Sequence, residues 1–295
     1  MSSSKNLIGR EKEGGMIRAC LKAKRNVLLE GPVGVGKTHL ALAVCEELGS
    51  PVFRIDGDNR YTEQKLSGWF DPPTVIKKGF TAESFVAGPL VDAMKKGGIL
   101  FINEFNRLPE GVQNVLLPAI DERMIMVPRL GEIKAAPGFL VIATQNPKEF
   151  VATSHLSEAI LDRFELVVLQ YQTEVEEVSI VSDRLKVFSK KANQLLPLAS
   201  VRLTRLTRNH PRVKRGASVR AALSIAEIAS VLMAEGSSLP QAFVAAVLMA
   251  LPTRIEIERD AESEQSVREE MVALLKKWAD SVLEEISGEG KQKKK

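Results

Sequence analysis

Eight consecutive residues carry the sharpest chemistry in the chain: Gly31, Pro32, Val33, Gly34, Val35, Gly36, Lys37 and Thr38. Their spacing, G-x-x-x-x-G-K-[ST], is that of a phosphate-binding loop. The glycines let the backbone curl so that successive N–H groups converge on a polyphosphate. Lys37 would reach the β- and γ-phosphates, and Thr38 would set its hydroxyl on Mg2+. A second polar pair, Asn103-Glu104, ends the apolar run Gly98 to Ile102. A phosphate-loop enzyme needs an acidic group at such a strand end, to hold the cation through water and to orient the attacking water. Glu104 has the position of the water-activating carboxylate; the structural alternative is a helix N-terminal charge. The Asn103 amide oxygen can bond a metal-bound water but adds no charge. Asn146 follows a third apolar run, Phe139 to Thr144. It reads equally as a holder of water beside the γ-phosphate or as the cap of a turn before Pro147.

The elements that must position these groups are legible from periodicity. Asn26 to Glu30 reads as a buried strand before the loop, and His39 to Leu48 as a helix after it, closed by Gly49. That order puts the helix's positive N-terminal end on the phosphates. A helix over about Glu11 to Ala23 precedes them. Further strands are predicted over 51–56, 98–102, 139–144 and 165–169, which implies a right-handed parallel α/β sheet. Asn59 to Gly98 reads as a long irregular insertion holding five of the chain's 15 aromatics. It is either functional or a loop packed on the body. Residues 123–128 and 132–135 read as a hairpin around Arg129-Leu130-Gly131, and Pro118 as a kink in the helix before it. Ser157 starts a capped helix, and Arg163, just before the last strand, reads by itself as a surface arginine.

From about Thr173 the pattern becomes helical only, with helices over 175–193, 219–235, 239–251 and 266–286. Between them Arg202, Arg205, Arg208, His210, Arg212, Lys214 and Arg215 read as a basic loop. It lacks the aromatic residues that stack single strands, so a solvated loop or a partner face is expected. Ser218 can cap the helix that starts at Val219, and Arg220 sits in its first turn, where a cation opposes the helix dipole unless an anion holds it.

Bulk composition narrows the partners. The formal charge of +4 comes from the four lysines of Lys291 to Lys295; without them basic and acidic residues balance at 37 each. A nucleic-acid partner is therefore not expected, and 291–295 reads as a disordered basic tail. Cys20 and Cys45 form no disulfide or metal-ligand pattern and fit a reducing compartment. The N-terminus lacks the apolar core of a signal peptide, and the longest apolar run, Ala242 to Leu251, is too short to span a bilayer. No membrane association and a cytoplasmic location are expected.

Together, LLEGPVGVGKT, FINEFNRLPEGVQNVLLPAIDER, FLVIATQNP, LSEAILDRF and GASVRAAL resemble the AAA+ ATPases, and within them the MoxR subfamily, from about Leu7 to Glu258. The resemblance implies an α/β fold: a P-loop AAA+ core with a parallel five-stranded sheet over 1–172, then a small all-α lid domain over 173–290. It implies ATP and Mg2+ as cofactors. Ile8 and Gly9 would lie against the adenine, and the loop from Gly31 through Thr38, with His39 after it, would bind the phosphates. Thr38 and Asn103 would serve the metal, and Glu104 would activate water. Asn146 matches sensor 1, Arg163 the arginine finger given to a neighbouring subunit, and Arg220 sensor 2. The insertion and the hairpin resemble elements that line the pore of a hexameric ring. Such proteins remodel or mature a protein client, often with a von Willebrand factor A domain partner. Asn103 departs from the family's usual Asp at that position. That departure keeps a second reading open, a nucleotide-binding scaffold or switch with weak hydrolysis; a nucleic-acid motor is the third.

Overall fold

The computed structural model describes residues 7–146, 156–188, 195–258 and 266–292. The chain divides into two compact units, 1–170 and 171–295, each with its own apolar core.

The first unit opens with α1 (Glu11–Lys22), β1 (Asn26–Glu30), α2 (Lys37–Glu47) and β2 (Val52–Asp56). The insertion follows as α3 (Glu63–Ser67), β3 (Gly68–Phe70), α4 (Pro72–Lys78), β4 (Phe85–Ala87) and α5 (Pro89–Lys96). Then come β5 (Ile99–Asn103), α6 (Glu110–Asn114), α7 (Leu116–Asp121), β6 (Met124–Val127), β7 (Gly131–Lys134), β8 (Leu140–Gln145), α8 (Glu158–Leu161) and β9 (Phe164–Val168). Five strands form one sheet in the order β2-β5-β8-β1-β9, and every pairing in it is parallel. The central strands read as unbroken apolar runs because both faces are covered: Val27 and Leu29 on β1, Leu100 through Ile102 on β5 and Val141 through Ala143 on β8 are all essentially inaccessible.

The insertion is more regular than the sequence suggests. Thr62 and Asp71 cap α3 and α4 through their side chains, accepting from Lys65 N and Thr74 N. β3 and β4 pair antiparallel, and Phe70 packs edge-on against Phe80 and Phe85. Frequent Gly and Pro mark the ends of short elements there, which read in sequence as the absence of any. The hairpin forms as expected, β6 antiparallel to β7. Pro118 acts as a breaker, but upstream of itself: one helix becomes α6 and α7, interrupted at Val115, because Pro118 can offer no N–H to the Asn114 carbonyl and its ring crowds that oxygen.

The second unit contains α9 (Glu174–Phe188), α10 (Leu195–Asn209), β10 (Val213–Arg215), α11 (Val219–Ala234), α12 (Leu239–Ala250), β11 (Glu256–Ile257) and α13 (Val267–Gln292). Two sequence expectations need correction here. The unit is not helical only, since β10 and β11 pair antiparallel. The basic segment is not a loop: Arg202, Arg205 and Arg208 lie on α10, whose Val201, Leu203 and Thr204 are buried at helical spacing. Arginine stems cover apolar surface while their heads find carboxylates, so a basic helix face reads as solvated coil. Here Glu177, 1% exposed, takes Arg208 Nη1 at 2.7 Å and Arg205 Nη1 at 3.3 Å. Arg208 also lies over the Tyr171 ring, 3.9 Å from its centroid. The end of the expected helix over 175–193 falls outside the described residues, as do Lys293 to Lys295 of the basic tail; α13 itself runs to Gln292.

Candidate functional site

The carboxyl ends of β1, β2, β5 and β8 bring the polar residues of the first unit together. Between β1 and α2 the phosphate loop curls through three glycines with positive φ, Gly31 at 155°, Gly34 at 78° and Gly36 at 92°. Gly31 is required by contact as well, since a Cβ there would stand 2.3 Å from the Leu169 carbonyl oxygen. Gly36 precedes the first helical residue, so α2 starts at Lys37, two residues earlier than periodicity suggests. Val35 is buried, while Val33, Gly36 and His39 are exposed. The Lys37 ammonium folds back into the loop and donates to the carbonyls of Gly31 at 2.6 Å and Pro32 at 2.9 Å. Those neutral acceptors are ones that a phosphate, with full negative charge, outcompetes.

The loop is tied to the rest of its unit by a residue that sequence reasoning passes over. Arg10, 5% exposed, donates from Nη2 to the carbonyls of Val35 at 2.9 Å and Gln170 at 2.7 Å, and pairs through Nη1 with Glu13 at 2.8 Å. Ile8 and Gly9, placed against adenine by resemblance, precede it in a turn, Gly9 with φ 69°.

Asn103 lies at the centre of a hydrogen-bond chain. Its Oδ1 accepts from Thr38 Oγ1 at 2.9 Å and from Thr144 Oγ1 at 3.2 Å, and its Nδ2 donates to Asp56 Oδ1 at 2.9 Å. Because the Thr38 hydroxyl spends its proton on Asn103, its oxygen lone pairs are left to face a cation. Thr144 is buried at the end of β8, and its Oγ1 also accepts the Glu104 N–H at 2.9 Å. Parallel pairing sets Asp56 beside Asn103 in register. Arg54 and, less strongly, the Asn103 amide hold the Asp56 carboxyl below the ordinary carboxylate range against partial desolvation.

Glu104 leaves the strand with φ 56° and ψ 55°, a left-handed conformation uncommon for a residue with a side chain. The turn is enforced from β2: Gly57 N donates to Asn103 O at 2.7 Å, and a Cβ on Gly57 would meet the Glu104 carbonyl oxygen at 2.0 Å. The Glu104 carboxylate is half-open and pairs with Arg107 Nη1 at 2.7 Å. Asn146, 8% exposed, follows β8 directly. Its neighbour Gln145 donates to Glu30 Oε2 at 2.7 Å, joining the end of β8 to the residue before the loop.

The oxygen donors gathered here are a hydroxyl, an amide and carboxylates, the chemistry of a hard cation such as Mg2+ rather than a thiophilic metal. Among the described residues no group of three or more His, Cys, Asp or Glu could hold a metal unaided. A site of this kind suits Mg2+ that arrives with phosphate oxygens and keeps much of its water.

Of the remaining two candidates, Arg163 lies in the first unit and Arg220 in the second. Arg163 is occupied within its own unit: Nε lies 2.6 Å from both Asp121 carboxylate oxygens, Nη1 donates to the Ala159 carbonyl, and Asp121 raises its pKa. Arg220, exposed on the first turn of α11 in the second unit, has no hydrogen bond or ion pair among the described residues. Ser218 occupies the N-cap position as expected but makes no side-chain cap bond.

Asp56, Gly57, Thr144, Arg10 and Arg107 are neighbours of the candidate site residues that sequence reasoning missed. Of these only Asp56 left a signal, as an acidic residue ending a predicted strand.

Comparison with known proteins agrees with this geometry. Residues 26–164 match the family described as AAA domain (dynein-related subfamily). An uncharacterized protein of Staphylococcus aureus is 30% identical over 226 residues, spanning 74% of this chain and 83% of the relative. One from Staphylococcus epidermidis is 29% identical over 220 residues, with the same two coverages. A point variant of Thermotoga maritima RuvB shares the fold with a TM-score of 0.57 at 17% identity, over 84% of this chain and 73% of that one. A Cytophaga hutchinsonii protein provisionally assigned as an ATPase aligns over 93% of this chain and 91% of its own, with a TM-score of 0.51 at 20% identity. With its glycine loop at the head of a five-stranded parallel sheet and its polar strand ends beside that loop, the chain has the AAA+ P-loop fold, and its residues 26–164 form an AAA domain similar to the dynein-related subfamily.

Proposed function

We propose that this chain is a MoxR-like AAA+ ATPase that couples ATP binding and Mg2+-dependent hydrolysis to remodelling or maturation of a partner protein. The observation that carries the reading is the junction of loop and strand end: the Lys37 ammonium in the loop, the Thr38 hydroxyl on Asn103, and Glu104 beside them on the same strand end. Phosphoryl transfer to water is largely positioning and charge neutralisation. Lys37 exchanges its two carbonyls for phosphate oxygens. Bound Mg2+ would be held from Thr38 and, through water, Asn103, and would supply charge neutralisation on the phosphates. Glu104 leaves Arg107 to accept the proton of the attacking water, and Asn146 orients that water. Arg163 leaves Asp121 to reach the nucleotide of a neighbouring subunit in a hexameric ring, and Arg220 senses the nucleotide from the lid.

Protein contact is supported by exposed apolar groups on the insertion and hairpin. Ile76 is 86% exposed, Met126 69% and Trp69 45%, and Arg129 of the hairpin turn lies 4.0 Å from the Phe80 ring centroid of the insertion. A von Willebrand factor A domain protein is the partner class the MoxR resemblance favours. No helix among the described residues is long and apolar enough to cross a membrane, and a cytoplasmic location suits the free thiols.

The second reading, a nucleotide-binding scaffold with weak hydrolysis, rests on Asn103, which brings no charge to the metal. ATP turnover measured against protein concentration separates the two. The remodelling-ATPase reading expects turnover per chain to rise with concentration and to fall at least tenfold in Arg163→Ala. ATP binding with no turnover at any concentration would leave the scaffold.

A further inference from the structure

Asn103 is the group that a phosphate-loop site would ordinarily need charged, and its surroundings explain why it is not. Its amide is oriented on both sides. Oδ1 takes the Thr38 and Thr144 hydroxyls, and Nδ2 gives a proton to Asp56 Oδ1 at 2.9 Å. A carboxylate at position 103 would set an oxygen against the Asp56 carboxylate at hydrogen-bond distance. Two like charges that close do not both ionise. An amide beside a carboxylate is the stable form of this pair: one negative charge, shared along one hydrogen bond.

We propose that Asp56 carries the metal-facing negative charge of the nucleotide site, displaced by one strand from β5 to β2, with Asn103 as the relay that couples it to Thr38. This rests on the ATP-binding reading above. The carboxylate stands at the sheet's carboxyl end, in register with Asn103 and 58% exposed at its side chain, so a metal-bound water can reach it. Arg54 bonds both its oxygens, Nη2 to Oδ1 at 2.7 Å and Nε to Oδ2 at 3.1 Å, which fixes the carboxylate's orientation at the strand end. Arg54 is itself half-exposed and on the rim, where solvent screens its opposing charge. Gly57, the next residue, crosses the Glu104 carbonyl too closely for any side chain, which fixes the Asp56 backbone against the strand end it serves. Polar partners one step removed from a metal commonly tune its affinity by 10–100-fold.

The test is the Mg2+ dependence of binding of a fluorescent ATP analogue, compared with its affinity in EDTA, for the full chain, Asp56→Asn, Asn103→Asp and the exchange variant Asp56→Asn/Asn103→Asp. The expected result for Asp56→Asn is a rise of about tenfold or more in the Mg2+ concentration at half-saturation, with affinity in EDTA within about twofold of the parent. The exchange variant, which moves the charge to position 103 and keeps one amide and one carboxylate, recovers most of that loss. Asn103→Asp alone gains less than a full extra charge would give, because it meets Asp56. Unchanged Mg2+ dependence in Asp56→Asn, with analogue binding intact, overturns the assignment of Asp56 and leaves the ATP-binding reading standing. A parent chain that binds no analogue with or without Mg2+ overturns both.

Discussion

At the carboxyl end of the sheet, Glu104 and Asp56 keep about half their side-chain surface open, and each is held by one or two partners. In the helical unit Glu177 is closed from solvent between Arg205 and Arg208, and the Arg208 guanidinium also stacks on Tyr171. Both regions are charged, and cationic side chains line the arginine-rich helix. The difference is in what a ligand could displace. Lys37 donates to two neutral carbonyls and gains by exchanging them for phosphate, whereas Arg208 would have to abandon a buried carboxylate. One set of charges is available for chemistry, and the other is committed to holding helices together.

The largest effect that sharpens this contrast is expected from Lys37→Ala. ATP affinity should fall by about 100-fold or more, since a charge-assisted bond to phosphate is lost at the centre of the site. The melting temperature should hardly move, because the carbonyls that the ammonium secures belong to its own loop. Calorimetric titration with ATP and a thermal melt check both halves.

Glu177→Ala should do the reverse. It leaves two arginines near a buried, unpaired position, a change that ordinarily costs about 3–5 kcal/mol. Denaturant unfolding should register that loss in the helical unit, while ATP affinity at temperatures where the chain stays folded remains within about twofold. An equal loss of ATP affinity would break the contrast.

Gly57→Ala tests the strained turn itself. The added Cβ forces the end of β2 away from the Glu104 carbonyl, so turnover should fall by about tenfold, with a stability loss of about 1–3 kcal/mol from overpacking. Turnover equal to the parent would mean that the conformation of Glu104 does not matter to the chemistry.

The smallest effect concerns Cys45, whose thiol is pushed up to about 12 by burial on the inner face of α2. Between the ordinary thiol value of 9.0 and that raised value the unfolded chain releases this proton and the folded chain keeps it. Stability therefore falls as pH rises through that window, and Cys45 should resist alkylation at pH 8 until the chain unfolds. Mass spectrometry of the alkylated chain reads this directly.

The sheet and the phosphate loop were legible because they depend on local patterns. The runs 27–29, 98–102 and 139–143 are unbroken and apolar, as strands buried on both faces must be, and the loop's glycines are fixed by its own backbone. What was not legible depends on strand order. Asp56 and Asn103 are 47 residues apart and meet only because β2 pairs with β5 in parallel register. Thr144 reaches Asn103 and Glu104 across the next pairing for the same reason. Arg10 is passed over because nothing local marks it, and its contact with Gln170 spans nearly the whole unit. The basic segment failed differently. Its helical period is carried by Val201, Leu203 and Thr204 between arginines, and the buried carboxylate that makes those arginines structural lies on another helix.

The central claim is that the strand end beside the phosphate loop hydrolyses ATP, and Glu104→Gln tests it most directly. Single-turnover hydrolysis and ATP binding would be measured on the parent and the variant with Mg2+ present. ATP affinity is predicted to stay within about threefold while the hydrolysis rate falls by about 10²–10⁴, the range ordinarily lost with a positioned general base. Hydrolysis in Glu104→Gln at the parent's rate would contradict that claim.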